Sequence, residues 1–439
     1  MAGGNWTSQN KVLPGVYTNV TGKGTSADNT GIRGIVALPM AISWLEPKTI
    51  IPVTSDDIGS LTEMIGNAAL PVREALKYAT TALIYRLNQG AKAMTTLGSL
   101  TATAKHEGVI GNSLQVSIEA IPDIEDQYYV RTFRDGAEMD IQQGATAADI
   151  KENAYITFSG DGALEANAGV TLSGGSDGTV TTQDYADALQ ALELQTFHSV
   201  ACMTAESDVI DLMVAYAERL RAEEGKNIQA VVPNVLGINS ISVLSVKNSY
   251  TLADGTALTV PQATAFVAGA TAGVPLSESL TNATVAGAVD VSERYTTSQM
   301  INLVRAGQIV FVPGPYGSNS VTILKDINTL ITYTEEQPEV FAKNKIIRTV
   351  DAVADTIYQK GYMSYIGKTP NTDRGRMLYK SEIMTYFREL EAQEILQNVA
   401  PEDINIRRGN DIDAVVVDYA IQPVDVMEKI YNTIVVKTV

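Results

Sequence analysis

The chain reads as β-strand almost to its last residue. Ala414 to Gln422 and Val424 to Val439 are rich in Val, Ile, Thr and Tyr, and neither Gly nor Pro interrupts Ile434, Val435, Val436, Lys437, Thr438 and Val439. Chain ends ordinarily fray into polar residues. A terminal strand instead carries backbone donors and acceptors that must pair, either with the chain's own sheet or with another chain. The N-terminus holds a shorter version: Val12, Leu13, Val16, Tyr17 and Val20 lie in an arm rich in Gly, Asn, Ser and Thr. Two terminal strands on polar tethers suit strand exchange between subunits. Pairing inside one subunit is the commoner use of such strands, and the pattern alone does not choose between the two. At the C-terminus the residues that would carry an exchange are Val424, Val426, Ile430, Tyr431, Ile434, Val435, Val436 and Val439.

With 439 residues, 45% of them hydrophobic, the chain has material for two or three domains with real cores. Its 32 basic and 50 acidic residues leave a net charge of −18, which disfavours nucleic acid and anionic membranes as partners. Identical subunits of this charge repel, so contacts between them need complementary patches or apolar strand pairing. The single cysteine, Cys202, lies in the apolar run Val200 to Met203 and reads as a buried thiol; no intrachain disulfide can form. No apolar run approaches the ~20 residues of a membrane span. The opening ten residues are polar and lack a signal-peptide core, so the expectation is a chain made and kept in a cytoplasm.

The order of patterns predicts a mixed α/β, multidomain fold. Residues 1–30 form the N-terminal arm. Residues 31–99 and 179–332 read as one α/β domain, with Gly34 to Pro39 and Ala82 to Leu87 as buried strands and Pro71 to Ala79 as a short helix. Between them, 100–178 reads as an inserted β domain. There Leu114, Val116 and Ile118 alternate with polar residues, and short strands at Tyr128 to Phe133, Tyr155 to Phe158 and Val170 to Leu172 are separated by Gly- and Asp-rich turns. Thr181 with Asp184 predicts a capped helix, and Ser207 a second cap. Phe197 to Met203, a helix and Ile228 to Val232 then make a parallel crossover unit. Residues 333–439 read as a C-terminal domain. It has one helix opened by Pro338, with Phe341, Ile347, Val350, Ala354 and Ile357 inward, a second helix from Asp373 to Gln397, and the two terminal strands.

Catalytic signatures are missing from the sequence. His106 and His198, the only histidines, have no partner at metal-ligand spacing, so neither a metal nor another cofactor is expected. Gly22-Lys23-Gly24-Thr25 fails as a phosphate loop, with Tyr17 where the first Gly belongs and Gly24 where Ser or Thr must follow Lys. Gly174 to Gly178 has the residues of a calcium turn but no tandem copy, and reads as a plain turn. The pairs Asp56-Asp57, Glu223-Glu224 and Glu335-Glu336 read as solvated surface rather than acid–base machinery. No catalytic residue is assigned. An α/β enzyme or ligand-binding protein with a β insertion is the alternative class, and it would need a pocket for which the sequence offers no constellation.

Two basic groups stand out from the acidic background: Lys368, Arg374, Arg376 and Lys380, and Lys343, Lys345 and Arg348. A solvated helix face accounts for such groups in general. The functional alternative is a docking surface for an acidic partner.

Several segments taken in order resemble the tail sheath proteins of contractile phage tails, in particular the branch from Gram-positive phages, prophages and phage-tail-like bacteriocins. They are Leu13-Pro14-Gly15-Val16-Tyr17, Tyr85 to Ala93, Ala268 to Gly273 followed by Pro275, Ser277 and Leu280, Asn371 to Arg376, and Pro423 to Tyr431. The resemblance spans nearly the whole chain. It implies stacked six-membered rings around an inner tube, arms that add strands to the C-terminal domains of neighbours, a tube-facing C-terminal domain and an outward β domain. It implies contraction that drives the tube through a target envelope, with the tail tube protein, baseplate and tail terminator proteins as further partners. The implied location is a virion tail or tail-like particle assembled in a bacterial host's cytoplasm. On this resemblance Lys343, Lys345, Arg348, Lys368, Arg374, Arg376 and Lys380 are the candidates for the tube-facing surface.

Overall fold

A computed structural model of the chain describes residues 2–4, 15–17, 33–315 and 318–437. Among them are eight α-helices: α1 (Ile58–Ile65), α2 (Leu70–Ala75), α3 (Thr182–Leu192), α4 (Ser207–Arg219), α5 (Val260–Gly273), α6 (Thr297–Arg305), α7 (Asn344–Lys360) and α8 (Asp373–Glu391). The fold is mixed α/β and divides into two compact units. One comprises Met1–Ala37, Glu74–Ala82 and Phe197–Val439, the other Leu38–Arg73 and Leu83–Thr196.

A parallel sheet organises the first unit. Within this unit its strands stand in the order Gln308–Ile309, Val243–Val246, Gln229–Pro233, Ser199–Ala201 and Ile35–Met40, part of a seven-stranded sheet. Val36, Ala37, Ala230, Val231, Val232, Val243 and Leu244 are fully buried, the near-continuous apolar run that a parallel sheet covered on both faces requires. Ser199–Ala201, α4 and Gln229–Pro233 form the expected crossover. Helix α5 lies against this sheet: Ser199 Oγ donates to the Ala268 carbonyl at 2.7 Å, and Thr264 Oγ1 to the Cys202 carbonyl at 3.0 Å. The helix is buried from Ala263 to Ala272. Its small residues permit a close approach, because a Cβ at Gly269 or Gly273 would run into the carbonyl of Ala75 or Tyr78.

Helices α7 and α8 and a terminal hairpin (Ile404–Arg408 with Val415–Tyr419) share one core. Val353 and Ile357 of α7 meet Ile383, Tyr386, Phe387 and Leu390 of α8, with Leu396, Val399 and Ile404 closing the cluster. Phe341, Ile346, Ile347, Val350 and Leu330 form a second cluster beside it. The inward face predicted for the first of these helices is therefore present.

The second unit holds two antiparallel sheets. One has the order Ala137–Gly144, Tyr128–Arg134, Leu114–Ala120, Asn167–Thr171; the other has Ile156–Ser159, Leu100–Ala104, Met94–Leu97. Leu114, Val116, Ile118, Val130, Leu100, Ala102 and Ile156 are buried, as the alternation demands. Asp177 closes a turn: its carboxylate accepts from Ser43 Oγ (2.8 Å) and the Val109 amide (2.9 Å), and its carbonyl from Asn88 Nδ2 (2.8 Å). Both carboxylate oxygens are thus committed to the protein. Thr181 caps α3 with Asp184 reciprocating, as predicted.

Some expectations need correction. Glu206, not Ser207, is the N-cap of α4. Helix α1 lies outside the predicted elements, because Gly59, Ser60, Thr62 and Glu63 dilute its buried apolar face to Leu61 and Ile65. The long helix begins at Asn344, after a separate 3-10 turn at Glu339–Ala342, and beyond Lys360 a wide π turn carries the chain on to Tyr365. Helix α8 ends at Glu391 rather than Gln397. The largest difference is at the C-terminus. Residues 424–437 form no strand. Strand propensity alone fixes nothing without a partner edge, and among the described residues none is offered to this segment.

Candidate assembly interface

The terminal hairpin is a two-stranded sheet with one face on the α7–α8 core: Ile406, Val417, Tyr419 and Ile421 pack onto that cluster. Asn371, just before α8, holds the hairpin's turn. Its Nδ2 donates to the carbonyls of Ile412 (3.0 Å) and Ala414 (2.9 Å). Arg376 in turn donates to Asn371 Oδ1 at 2.6 Å and pairs with Asp373.

From the hairpin the chain runs into the C-terminal arm, whose root is fixed. The Gln397 amide donates to the Gln422 carbonyl (3.3 Å), and the Val424 amide to the Ile395 carbonyl (2.9 Å). Lys345 Nζ donates to the Val424 carbonyl; Lys343 Nζ pairs with Asp425 and, at 3.0 Å, with Glu428. Thr281 Oγ1 donates to the other Glu428 oxygen at 3.0 Å. Burial alone would lower the Lys343 ammonium, but its hydrogen bonds to the two carboxylates hold it above its ordinary value. Burial lowers Lys345, which the Asp425 charge only partly offsets.

Beyond Glu428 the arm changes character. Residues 429–437 make no hydrogen bond to the other described residues, and Ile430, Tyr431, Ile434, Val435 and Val436 stand 73% to 89% exposed. At the other end, Gly15–Tyr17, which holds Val16 and Tyr17, pairs in parallel with Ala2–Gly4 of the same chain. Val12, Leu13, Val20 and Val439 lie outside the described residues.

The predicted basic surface divides in two. Lys345 and Arg348 are 2% and 0% exposed and sit inside the first unit. Arg348 Nη2 meets Asp326 Oδ2 at 2.7 Å with both side chains fully buried. Together with Lys343, which is held by the arm root, they present no free cationic face among the described residues: Lys343 and Arg348 meet carboxylates of this chain and Lys345 the Val424 carbonyl. Arg376 is committed to Asn371 and Asp373. Lys368 and Arg374 are exposed and Lys380 is half-buried. Among the described residues Lys368 Nζ reaches only the Met363 carbonyl, and Met377 (60%) and Leu378 (59%) stand exposed on α8.

Helix α7 also carries a polar stripe that the sequence pattern did not reveal, the buried Asn344, Arg348 and Asp351 and the half-buried Asp355. Asn344 Oδ1 accepts from Gln229 (2.8 Å), Asp351 takes both guanidinium NH2 groups of Arg221 (2.6 and 2.8 Å), and Asp355 accepts from Asn227 (2.9 Å). The i, i+4, i+7, i+11 spacing was the available signal. Burial first, and the Asp351 charge second, push the Asp355 carboxyl up to about 7, against Asn227, Arg33 and Arg221. Its unfolded value is near 3.8. Between about pH 4 and 7 the folded state therefore holds a proton that the unfolded state has lost, and stability falls as pH rises through that window. Asp355→Asn is expected to flatten this fall in urea unfolding at pH 5 to 8. A slope identical to wild type would place the titration elsewhere.

Comparison with known proteins gives one consistent result. Residues 33–87 match the family described as tail sheath protein Gp18 domain III N-terminal region, 88–177 the phage tail sheath protein beta-sandwich domain, 178–329 the phage tail sheath protein central domain and 336–437 the phage tail sheath C-terminal domain. Protein XkdK of the phage-like element PBSX of Bacillus subtilis is 34% identical over 98% of this chain and 99% of its own. The crystal structure of the sheath tail protein of Desulfitobacterium hafniense has a TM-score of 0.85 at 38% identity, covering 96% of this chain and all of the other. That of Listeria innocua has 0.76 at 29%, covering 92% and 95%. The contracted helical sheath of the anti-feeding prophage shares the fold at 12% identity, with a TM-score of 0.56 over 97% of this chain and 99% of the other. The chain belongs to the tail sheath proteins of contractile phage tails.

Proposed function

We propose that this sheath subunit polymerises as stacked six-membered rings around a tail tube, linked by its terminal arms, and contracts without nucleotide hydrolysis to drive the tube through a target envelope. The observation that carries the reading is the arm beyond Glu428: apolar, exposed, and without a partner among the described residues. Ile430, Ile434 and Val436 would face one side of a strand and Tyr431 and Val435 the other, so the arm suits a position covered on both faces. Added to the hairpin of a neighbour, it would supply main-chain hydrogen bonds and apolar burial where subunits of net charge −18 otherwise repel. The N-terminal arm, 1–30, would be exchanged in the same way through Val12, Leu13, Val16, Tyr17 and Val20.

The region 333–439 is the tube-facing assembly domain on this reading, 31–99 and 179–332 the middle domain, and 100–178 the outer domain. Extended sheath would be a trapped state released by rigid-body motion at subunit interfaces. Baseplate and tail terminator proteins would bound the polymer, which assembles in the host cytoplasm. The tube contact narrows to the exposed Lys368 and Arg374 of the basic group, with the half-buried Lys380 beside them. Exposed ion pairs are worth ~0–1 kcal/mol each, so such contacts break easily as the sheath moves.

The test is electron microscopy of sheath polymerised with and without the tube protein. Lys368→Glu with Arg374→Glu is expected to leave tubes forming from the sheath alone while reducing co-sedimentation with the inner tube roughly tenfold or more, as several contacts per ring are lost together. Unaltered docking would remove this face from the tube interface.

A further inference from the structure

We propose that Lys343 and Lys345 form a clamp inside the subunit that fixes the root of the C-terminal arm, residues 424–428, and delivers only the segment after Glu428 to a neighbour. This rests on the reading that the arm is exchanged. The clamp corrects an electrostatic fault in α7. Cations at a helix N-terminus oppose the helix dipole, yet α7 opens with Lys343, Lys345 and Arg348 and has no acidic residue in its first turn. Asp326 answers Arg348 from within the core. The arm root answers the two lysines, with Asp425 and Glu428 on Lys343 and the Val424 carbonyl on Lys345. The missing negative charge thus comes from a segment about eighty residues later, and helix and arm root are each incomplete without the other.

The contacts stop where the exposed apolar run begins. Glu428 is the last residue held, by Lys343 and Thr281; Met427 beside it is already exposed, and from Ile430 the large apolar residues stand exposed with no such tether after them. At about 3.3 Å per extended residue, 429–439 reaches roughly 35 Å from a fixed point. An unclamped arm would reach further and sample far more directions, which slows and weakens docking. The clamp is also salt-labile by construction, because the side chains of Lys343 and Asp425 are 25% and 36% exposed.

The experiment is hydrogen–deuterium exchange on the full-length chain, wild type against Lys343→Met, in 0.05 M and 1 M NaCl, with tube formation followed by electron microscopy. The expected result is exchange across 424–428 at least about tenfold faster in the variant, and in wild type at high salt, with α7 core amides unchanged and tubes forming more slowly. Lys343→Glu combined with Asp425→Lys and Glu428→Lys should recover protection. Exchange across 424–428 that ignores both Lys343→Met and salt overturns the clamp, even if arm deletion still stops assembly. Faster exchange in a chain whose assembly does not depend on the arm leaves the clamp standing and overturns the strand-exchange reading instead.

Discussion

A chain lacking Ile430–Val439 is expected to fold normally and to form no tubes. Residues 430–437 make no hydrogen bond to the other described residues and cover none of the core clusters, so their loss should leave the thermal midpoint within about 1 °C, as for removal of any unpacked surface segment. Their effect is expected between subunits. Each fully buried Ile, Val or Tyr contributes roughly 1.5–3 kcal/mol. Losing five of them, with the strand hydrogen bonds, exceeds the ~4 kcal/mol that corresponds to a thousandfold in association. Negative-stain images of wild type beside the truncation, at equal concentration and with tube protein as a nucleus, are the measurement. Tubes of normal length from the truncated chain would sink the arm as the link. A graded version follows from the two-faced pattern: Ile434→Ser should cost more than Lys437→Ser, because only the first removes a side chain that burial would engage.

What the sequence disclosed depended on how local the physics was. Thr181 with Asp184, the alternation at Leu114, Val116 and Ile118, and the apolar face of α7 are interactions within a few residues, and the structure has them. The basic group at Lys343, Lys345 and Arg348 was legible as charge but not as geometry. Its partners sit at Asp425, Glu428 and Asp326, and no periodicity announces a pairing across the whole C-terminal region. The polar stripe of α7 was hidden for a related reason. A helix buried on nearly every side shows one apolar face, and its buried polar residues read as solvated until Arg221, Asn227 and Gln229 are in place opposite. The small residues of α5 could be read as apolar, whereas the close passage of Ala75 and Tyr78 that requires Gly269 and Gly273 could not. The terminal run shows the converse. Its composition reads as strand-forming, yet 424–437 is not a strand here, because pairing belongs to two edges and the sequence describes only one.

Arg348→Met is expected to be the most damaging single substitution in the C-terminal region. Both Arg348 and Asp326 are fully buried. Asp326 Oδ2 would keep the Leu280 amide at 3.0 Å and the Ser279 hydroxyl at 3.4 Å, but lose its only cation, while Oδ1 has no partner among the described residues. Removing one member of a buried pair typically costs 3–5 kcal/mol, because an uncompensated charge stays in the interior. At about 2–4 °C per kcal/mol, scanning calorimetry should show the first unit melting roughly 10 °C lower. Adding Asp326→Asn should recover most of the loss, since replacing both charges removes the orphan rather than the packing. Arg374→Met, on the exposed start of α8, should change the midpoint by less than about 1 °C. The contrast separates two roles that the sequence could not. If Arg348→Met melts like wild type, the pair is not holding α7, and Arg348 returns to the set of residues available for an acidic partner. If it melts early while Arg374→Met does not, the basic residues of α7 belong to the fold and those of α8 to the surface.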